Sequence, residues 1–311
     1  MVQQLSLVAS FPHSKYVQTM STLRALTGIE KPQDISTYTL LTKPYSEFKP
    51  KVEPGKVNQI EQYFMKCITT WDDSTSDNLD ISVPIIKSGN DESNLWVDTL
   101  FGDLNGNTRR NWTLQISDIP TAGKNQTVSA QTVYESTLVH YHTTNTKKGS
   151  LANGEPKKDE PVDTEMKDAD ADADLKEVRE VKVENQDESS INTNATTDSF
   201  LSFLHDLGYE VKNQYWIKGV RYFHGDIFIE TFKVFVRDDD FQSKDNQIKL
   251  KLLDSTNTFQ VKVYINVPKA TDVELINQGS KDLQKFQDFI KNLISLEIPD
   301  RMYMDSRVLK S

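Results

Sequence analysis

His140 and His142 stand two residues apart in a stretch that alternates apolar and polar side chains, so a strand would project both imidazoles from one face. Two nitrogens at that spacing could begin a zinc site, but such a site needs three or four ligands and no third is spaced to join them. Glu230 and Lys233 lie in IETFKVF. A metal-dependent triphosphate tunnel needs alternating inward carboxylates with lysines and arginines to hold phosphate, and these two charges stand isolated. The regular acids Asp168, Asp170, Asp172 and Asp174 fall in a segment too polar to hold a fixed geometry. Residues 103–107 resemble the start of a calcium loop, yet the glycine is misplaced and Leu114 occupies the twelfth position, where a bidentate glutamate is required. The sole cysteine, Cys67, excludes an intrachain disulfide and a cysteine zinc cluster. It fits a reducing compartment and reads as a half-buried strand residue. No Walker loop, strand-linked GxGxxG, GxSxG or HExxH occurs. The chain is expected to carry no catalytic, cofactor or metal residues and to act by binding.

The elements that would position these groups are mostly strands. Residues 4–8 open with one, and residues 14–27 follow as an amphipathic helix stopped by Gly28. Tyr16, Val17, Met20, Leu23 and Leu26 make its apolar face, while Lys15, Thr19, Thr22 and Arg24 face away. That outer face makes Thr19 and Thr22 candidates for partner contact. Alternation then predicts strands over 35–42, 63–71, 94–100, 112–116 and 127–142. Trp112, Leu114 and Ile116 share a face that is either core or docking surface.

Beyond the middle of the chain, Asp198 is a suitable N-cap for a short helix ended by Gly208. The strand from Tyr209 changes parity near Gly219, which suggests a bulge there. The turn at residues 224–226 returns into Phe228, Phe232, Val234 and Val236. A second hairpin runs from Ile248 through a turn at 254–257 to Phe259, Val261, Val263, Ile265 and Val267. Five alternate apolar residues mark a strand with one buried face. A last helix, capped at Gly279 and Ser280 and stopped by Pro299, carries Leu283, Phe286, Phe289, Ile290, Leu293 and Ile294. About ten strands and two substantial helices give a mainly β fold with flanking helices (α+β). Its core is a closed or nearly closed multistranded antiparallel β-barrel.

The 311 residues carry a net charge of −10, and residues 155–188 hold fourteen acids against six bases, so −8 of that total sits in one short stretch. The remainder is nearly neutral, which argues against a broad basic footprint for nucleic acid. Residues 147–196 lack aromatics and cannot bury enough apolar area to offset the entropy of ordering, so they read as a disordered acidic loop. The expected organisation is a first barrel portion over 1–143, the insertion over 144–197, and the second portion of the same barrel with its C-terminal helix over 198–311. No run reaches the roughly 20 apolar residues of a membrane span, and the first residues lack a signal-peptide pattern, so a soluble intracellular protein is expected. The Asn-x-Ser/Thr matches at Asn111, Asn125 and Asn194 are then fortuitous.

Five stretches outside the insertion are recognisable together: MVQQLSL at the start, WTLQISDIP (112–120), AGKNQTVSAQT (122–132), YINV (264–267) and PDRMYMDSRV (299–308). They resemble the fungal Mediator subunit 18 family. The resemblance implies a helix-flanked antiparallel barrel in the head module of Mediator, a nuclear complex linking activators to RNA polymerase II. It also implies pairing with Mediator subunit 20, a barrel of similar fold, and receipt of a helix from the C-terminal part of Mediator subunit 8. That barrel type is similar to RNA triphosphatase tunnels, and fold does not carry catalysis with it. A divergent tunnel phosphohydrolase and an RNA-binding barrel are the competing readings. Ser117, Asp118, Ile119 and Pro120, with Asp305, Ser306 and Arg307, fall near element ends and are the further candidates for partner contact or for structural caps.

Overall fold

The structure, a computed structural model, describes residues 1–46, 62–71, 79–85, 96–98, 108–123, 126–142, 199–240, 242 and 247–308. The acidic insertion, the calcium-like stretch at 103–107 and Asp198 lie outside the described residues. Strand β1 (Val2–Phe11) leads through a 3-10 turn (His13–Lys15) into helix α1 (Tyr16–Thr27). Strands β2 (Gln33–Pro44), β3 (Met65–Thr70), β4 (Trp96–Asp98), β5 (Thr108–Ser117) and β6 (Ser129–His142) follow. After the insertion come helix α2 (Phe200–Asp206), strands β7 (Tyr209–His224), β8 (Ile227–Arg237), β9 (Gln247–Leu252) and β10 (Phe259–Val267), and helix α3 (Val273–Ile290).

Eight strands close in the order β10-β1-β6-β5-β3-β2-β7-β8, with β8 returning to β10. Every pairing is antiparallel. Closure satisfies both edges of each wall strand, which removes the unpaired backbone an open sheet would present. Where β10 leaves β8, β9 takes its place along Phe235–Arg237, and β4 lines β9. Five contiguous wall strands, β1, β6, β5, β3 and β2, come from before the insertion and three, β7, β8 and β10, from after it, and residues Met1–Thr144 and Asp198–Ser311 form one compact unit.

The registers decide which face is which. Leu5 pairs with Ile265, Leu7 with Val263, Val263 with Ile229, and Ile229 with Tyr222. Continuing the same parity around the wall places Trp216, Tyr38, Cys67 and Trp112 with them. This is the face the helices touch. Gly279 of α3 lies against Leu5 and Ile265, Met20 of α1 approaches the Tyr222 hydroxyl, and Phe200 of α2 stacks on Trp112 at 3.8 Å between ring centroids. A barrel of eight strands has room inside for side chains, not for helices. The apolar face is therefore the outer wall beneath the helices, and the alternate face lines the lumen. Each large side chain buried under a helix contributes roughly 1.5–3 kcal/mol.

Several elements differ from the sequence reading, each for a packing reason. Helix α1 turns Thr19, Met20 and Leu23 inward, and Val17, expected on its apolar face, is exposed. Thr19 is thus wholly buried instead of facing away, whereas Thr22 is exposed and its hydroxyl donates to Gln18 O. The bulge lies between Leu41 and Thr42, opposite Lys212, not at Gly219. Gly219 answers a close approach: a Cβ there would sit 2.4 Å from Thr231 O. Helix α2 is capped by Ser199, whose Oγ accepts from Ser202 N. Helix α3 starts six residues before Gly279, with Asp272 accepting from Leu275 N, and it ends at Ile290, well short of Pro299. Beyond it, Glu297 pairs with Val8.

Candidate functional site

Lys262 and Glu230 face each other across β10 and β8, and Glu230 faces Arg221 across β8 and β7, all on lumen positions. Arg221 donates to Glu230 Oε1 from Nη2 at 2.6 Å and from Nε at 2.8 Å. The Tyr264 hydroxyl donates to the same oxygen at 2.9 Å. Lys262 Nζ lies 4.9 Å from the centre of the Tyr264 ring and donates to Gln4 Oε1 at 2.6 Å, and Gln4 Nε2 donates to Asn266 Oδ1 at 3.0 Å. A continuous polar ladder thus crosses β1, β10, β8 and β7.

Burial, reinforced by the cations Lys66 and Arg221, pulls the Lys262 ammonium down to about 8, while Glu230 and Glu135 oppose the shift. Lys66 is on β3 and Glu135 on β6, strands not adjacent to β10, so these charges sense one another across the lumen. Burial and then Glu230 raise the Tyr264 phenol above its ordinary range. Glu135 accepts from Gln115 Nε2 at 2.6 Å.

A metal-dependent tunnel would need free carboxylates converging on a cation. Here Glu230 is held by an arginine and a phenol, and Glu135 by an amide. Among the described residues no group of three or more His, Cys, Asp or Glu side chains could hold a metal. His140 packs edge-on against Phe200. Lys233 is not on the lumen with Glu230 but on the outer wall, buried against His13, Asn257 and Phe259. Among the described residues the lumen holds a charge network whose hydrogen bonds and ion pair tie β1, β10, β8 and β7 together.

The two surface motifs singled out in the sequence meet one another. Ser306 Oγ donates to Ser117 O, Arg301 Nε donates to Pro120 O at 2.8 Å, and Gln131 Nε2 bonds both Asp118 O and Met304 O. Arg307 forms a bridge with Tyr63, whose hydroxyl donates to Asp118 Oδ1 at 3.2 Å, and its guanidinium lies 2.8 Å from Asp305. Hydrogen bonds from Arg307 hold the Asp305 carboxyl below its usual range. Asp118 Oδ1 also caps Ile119 N, and Pro120 is buried. Residues 117–120 and 305–307, with these neighbours, form a clasp between the C-terminal segment and the end of β5. The clasp lifts Met302 and Tyr303, 77% and 91% exposed, to its tip.

A second surface was not read from the sequence. Helix α3, the end of β10 and the His224–Asp226 turn enclose a groove of about 820 Å³. Leu26, Pro268, Leu275, Phe286 and Phe289 supply its apolar lining. Phe289, from the apolar stripe on α3, stays 68% exposed, and Leu275 in the first turn of the helix 49%. The sequence signal was the width of that stripe, wider than the strip one barrel wall covers.

Fold and site together define a helix-clad antiparallel barrel with an internally paired lumen and apolar outer surfaces, the class of barrel suited to binding other proteins. The chain belongs to the Mediator subunit 18 family: the family model described as Med18 protein matches residues 3–307. It is 52% identical over 344 residues to Mediator of RNA polymerase II transcription subunit 18 from Debaryomyces hansenii, covering 99% of each chain. It is 50% identical over 353 residues to the subunit of that name from Candida albicans, again covering 99% of each. Its fold is similar to a chain in the solved structure of the Schizosaccharomyces pombe Mediator head module, with a TM-score of 0.53 at 12% identity, covering 96% of this chain and 98% of that one.

Proposed function

We propose that this protein is a non-catalytic scaffold subunit of the Mediator head module, acting in the nucleus by coupling regulators to RNA polymerase II through protein contacts. Membership of the Mediator subunit 18 family over residues 3–307 is the observation that carries the reading. The paired lumen supports it, since its carboxylates are committed to Arg221, Tyr264 and Gln115.

Two partners follow from the family resemblance: a second barrel, Mediator subunit 20, and a helix from the C-terminal part of Mediator subunit 8. The groove beside α3 has the apolar lining that an amphipathic helix requires. Thr22, exposed on α1, and the clasp formed by Ser117, Asp118, Ile119, Pro120, Asp305, Ser306 and Arg307 are the candidate contacts for the barrel partner. In that role the clasp residues hold Met302 and Tyr303 forward.

Co-expression with Mediator subunit 20 and the subunit 8 C-terminal segment tests the proposal. The expected result is one stable ternary complex on size exclusion. A chain that stays alone in the presence of both partners overturns the reading.

A further inference from the structure

Lys233 is buried to 1% exposure on the outer wall of β8, and its polar partners among the described residues are neutral. Its ammonium meets His13 Nδ1 at 3.1 Å, bonds Asn257 Oδ1, and sits 4.5 Å from the centre of the Phe259 ring. An ammonium can only donate, so His13 Nδ1 must accept. The proton of the neutral imidazole then resides on Nε2, which lies 3.1 Å from Ser82 O and donates to it. Asn257 divides its amide in the same way: Oδ1 accepts from Lys233 while Nδ2 donates to Ile85 O at 2.6 Å.

Residues 79–85 are thereby strapped over the barrel wall. Leu79 and Ile81 of the strap are themselves buried, and two of its carbonyls are tied to the two side chains that hold Lys233. The other charged and titratable groups at this place are few. Lys218 is the register partner of Lys233 on β7 and donates to Ser36 Oγ at 3.0 Å. Asp80 on the strap accepts from Ser82 N and is drawn by Lys218. Tyr16 of α1 stacks on His13 and Phe259, and Lys15 is the adjacent exposed cation.

We propose that His13 is an acid-operated latch: a proton on Nδ1 removes the acceptor of Lys233, sets two cations in contact, and loosens residues 79–85 from the barrel wall at Ser82. The bond from Nε2 to Ser82 O survives protonation, so the residues around Ser82 move with the imidazole, while Lys233 stays rooted in β8 and the bond from Asn257 to Ile85 O keeps the far end of the strap in place. Electrostatics agree in sign. Burial, and then Lys233, lower the pKa of His13 below its ordinary 6.5. Stability from the latch is complete above that value and is lost as pH falls through the lowered folded-state value. Burial brings Lys233 down only to about 8, so the lysine is charged throughout the range in which His13 titrates.

The test is hydrogen exchange of the full chain between pH 7.5 and 5, corrected for intrinsic rates, alongside NMR titration of the imidazoles. His13 should titrate below 6.5 as the Nε2–H tautomer, and exchange in residues 79–85 should rise about tenfold on acidification while β5 and β6 stay unchanged. Lys233→Met removes a buried charge at similar volume, which cores tolerate. It should move the His13 midpoint up toward 6.5 and flatten the acid response of the strap. His13→Gln, able to accept from Lys233 and donate to Ser82 O without titrating, should flatten it as well. The latch is overturned if His13 titrates at or above 6.5 in the unaltered chain, if exchange of the strap is independent of pH, or if both variants keep its acid response.

Discussion

Ser306 reaches back across 189 positions of sequence to donate its hydroxyl to the backbone carbonyl of Ser117. The bond joins the segment after α3 to the end of β5, in company with the ion pair between Arg307 and Asp305. Two motifs distant in the chain are one structural feature, and that feature carries the exposed Met302 and Tyr303.

Loosening the clasp should cost little stability and much local order. Ser306→Ala removes one hydrogen bond, worth about 1 kcal/mol in urea denaturation. Asp305→Asn should add a selective rise in hydrogen exchange over residues 300–308. The carboxyl of Asp305 is depressed by Arg307, so its contribution is present above the unfolded-state value near 3.8 and fades as pH falls through the lower folded-state value. A clasp that matters to a partner predicts weaker binding to Mediator subunit 20 for Tyr303→Ala, measured by calorimetry, with no change in melting temperature.

In the lumen, Arg221→Met strands Glu230 with only the Tyr264 hydroxyl and should destabilise the barrel by roughly 3 kcal/mol. The double variant Arg221→Met, Glu230→Leu should recover most of that loss in chemical denaturation, because the uncompensated charge is gone. A double variant as unstable as the sum of the singles would refute the view of the ladder as a paired network.

Gly219→Ala and Gly279→Ala should separate sharply. The first drives a methyl against the Thr231 carbonyl and the Phe232 backbone, which cannot yield, and should leave little folded protein in circular dichroism. At Gly279 the nearest atom is a Leu5 methyl at 2.9 Å. That side chain can shift, and the roughly 1 kcal/mol gained in helix propensity offsets the crowding. Near-neutral stability is expected.

Deleting residues 148–194 should leave the stack of Phe200 on Trp112, and with it α2, in place. The melting temperature should then move by no more than about 2 °C, whereas Phe200→Ala should cost about 3–5 kcal/mol. A large loss on deletion would mean that the insertion contributes to the core.

Cys67 is wholly buried, and burial pushes its thiol up to about 12. At pH 8 it should stay unreacted toward a thiol reagent in the folded chain and react fully in denaturant. Fast labelling of the native protein would show that β3 is less enclosed than its position implies.

The pattern of residues was enough to locate most strands, the glycine stops at Gly28 and Gly208, and the family; it placed the turn between β9 and β10, but these two strands do not pair as the expected hairpin, because both lie along β8 instead. These are local matters: alternation, left-handed turn positions and short motifs are written in neighbouring residues. It failed where one residue served two demands. Gly279 reads as a helix boundary because glycine disfavours helices, but it stands inside α3, where the helix lies close against Leu5 and Ile265. Thr19 reads as solvent-facing because it is polar, yet α1 buries it beside Met20 and Leu23.

Strand alternation by itself separated two faces on each strand, and on β8 it favoured Phe228, Phe232 and Val234, which share the lumen parity of Glu230, over the buried Ile229 and Phe235. Only closure decided that the apolar face is the outside of the barrel, roofed by helices, and that Arg221, Glu230 and Lys262 share the lumen. The reason is that a period of two distinguishes faces without naming them. Inside and outside exist only once β8 meets β10, just as Ser117 meets Ser306 only once the segment after α3 has folded back along Tyr63 and Phe64.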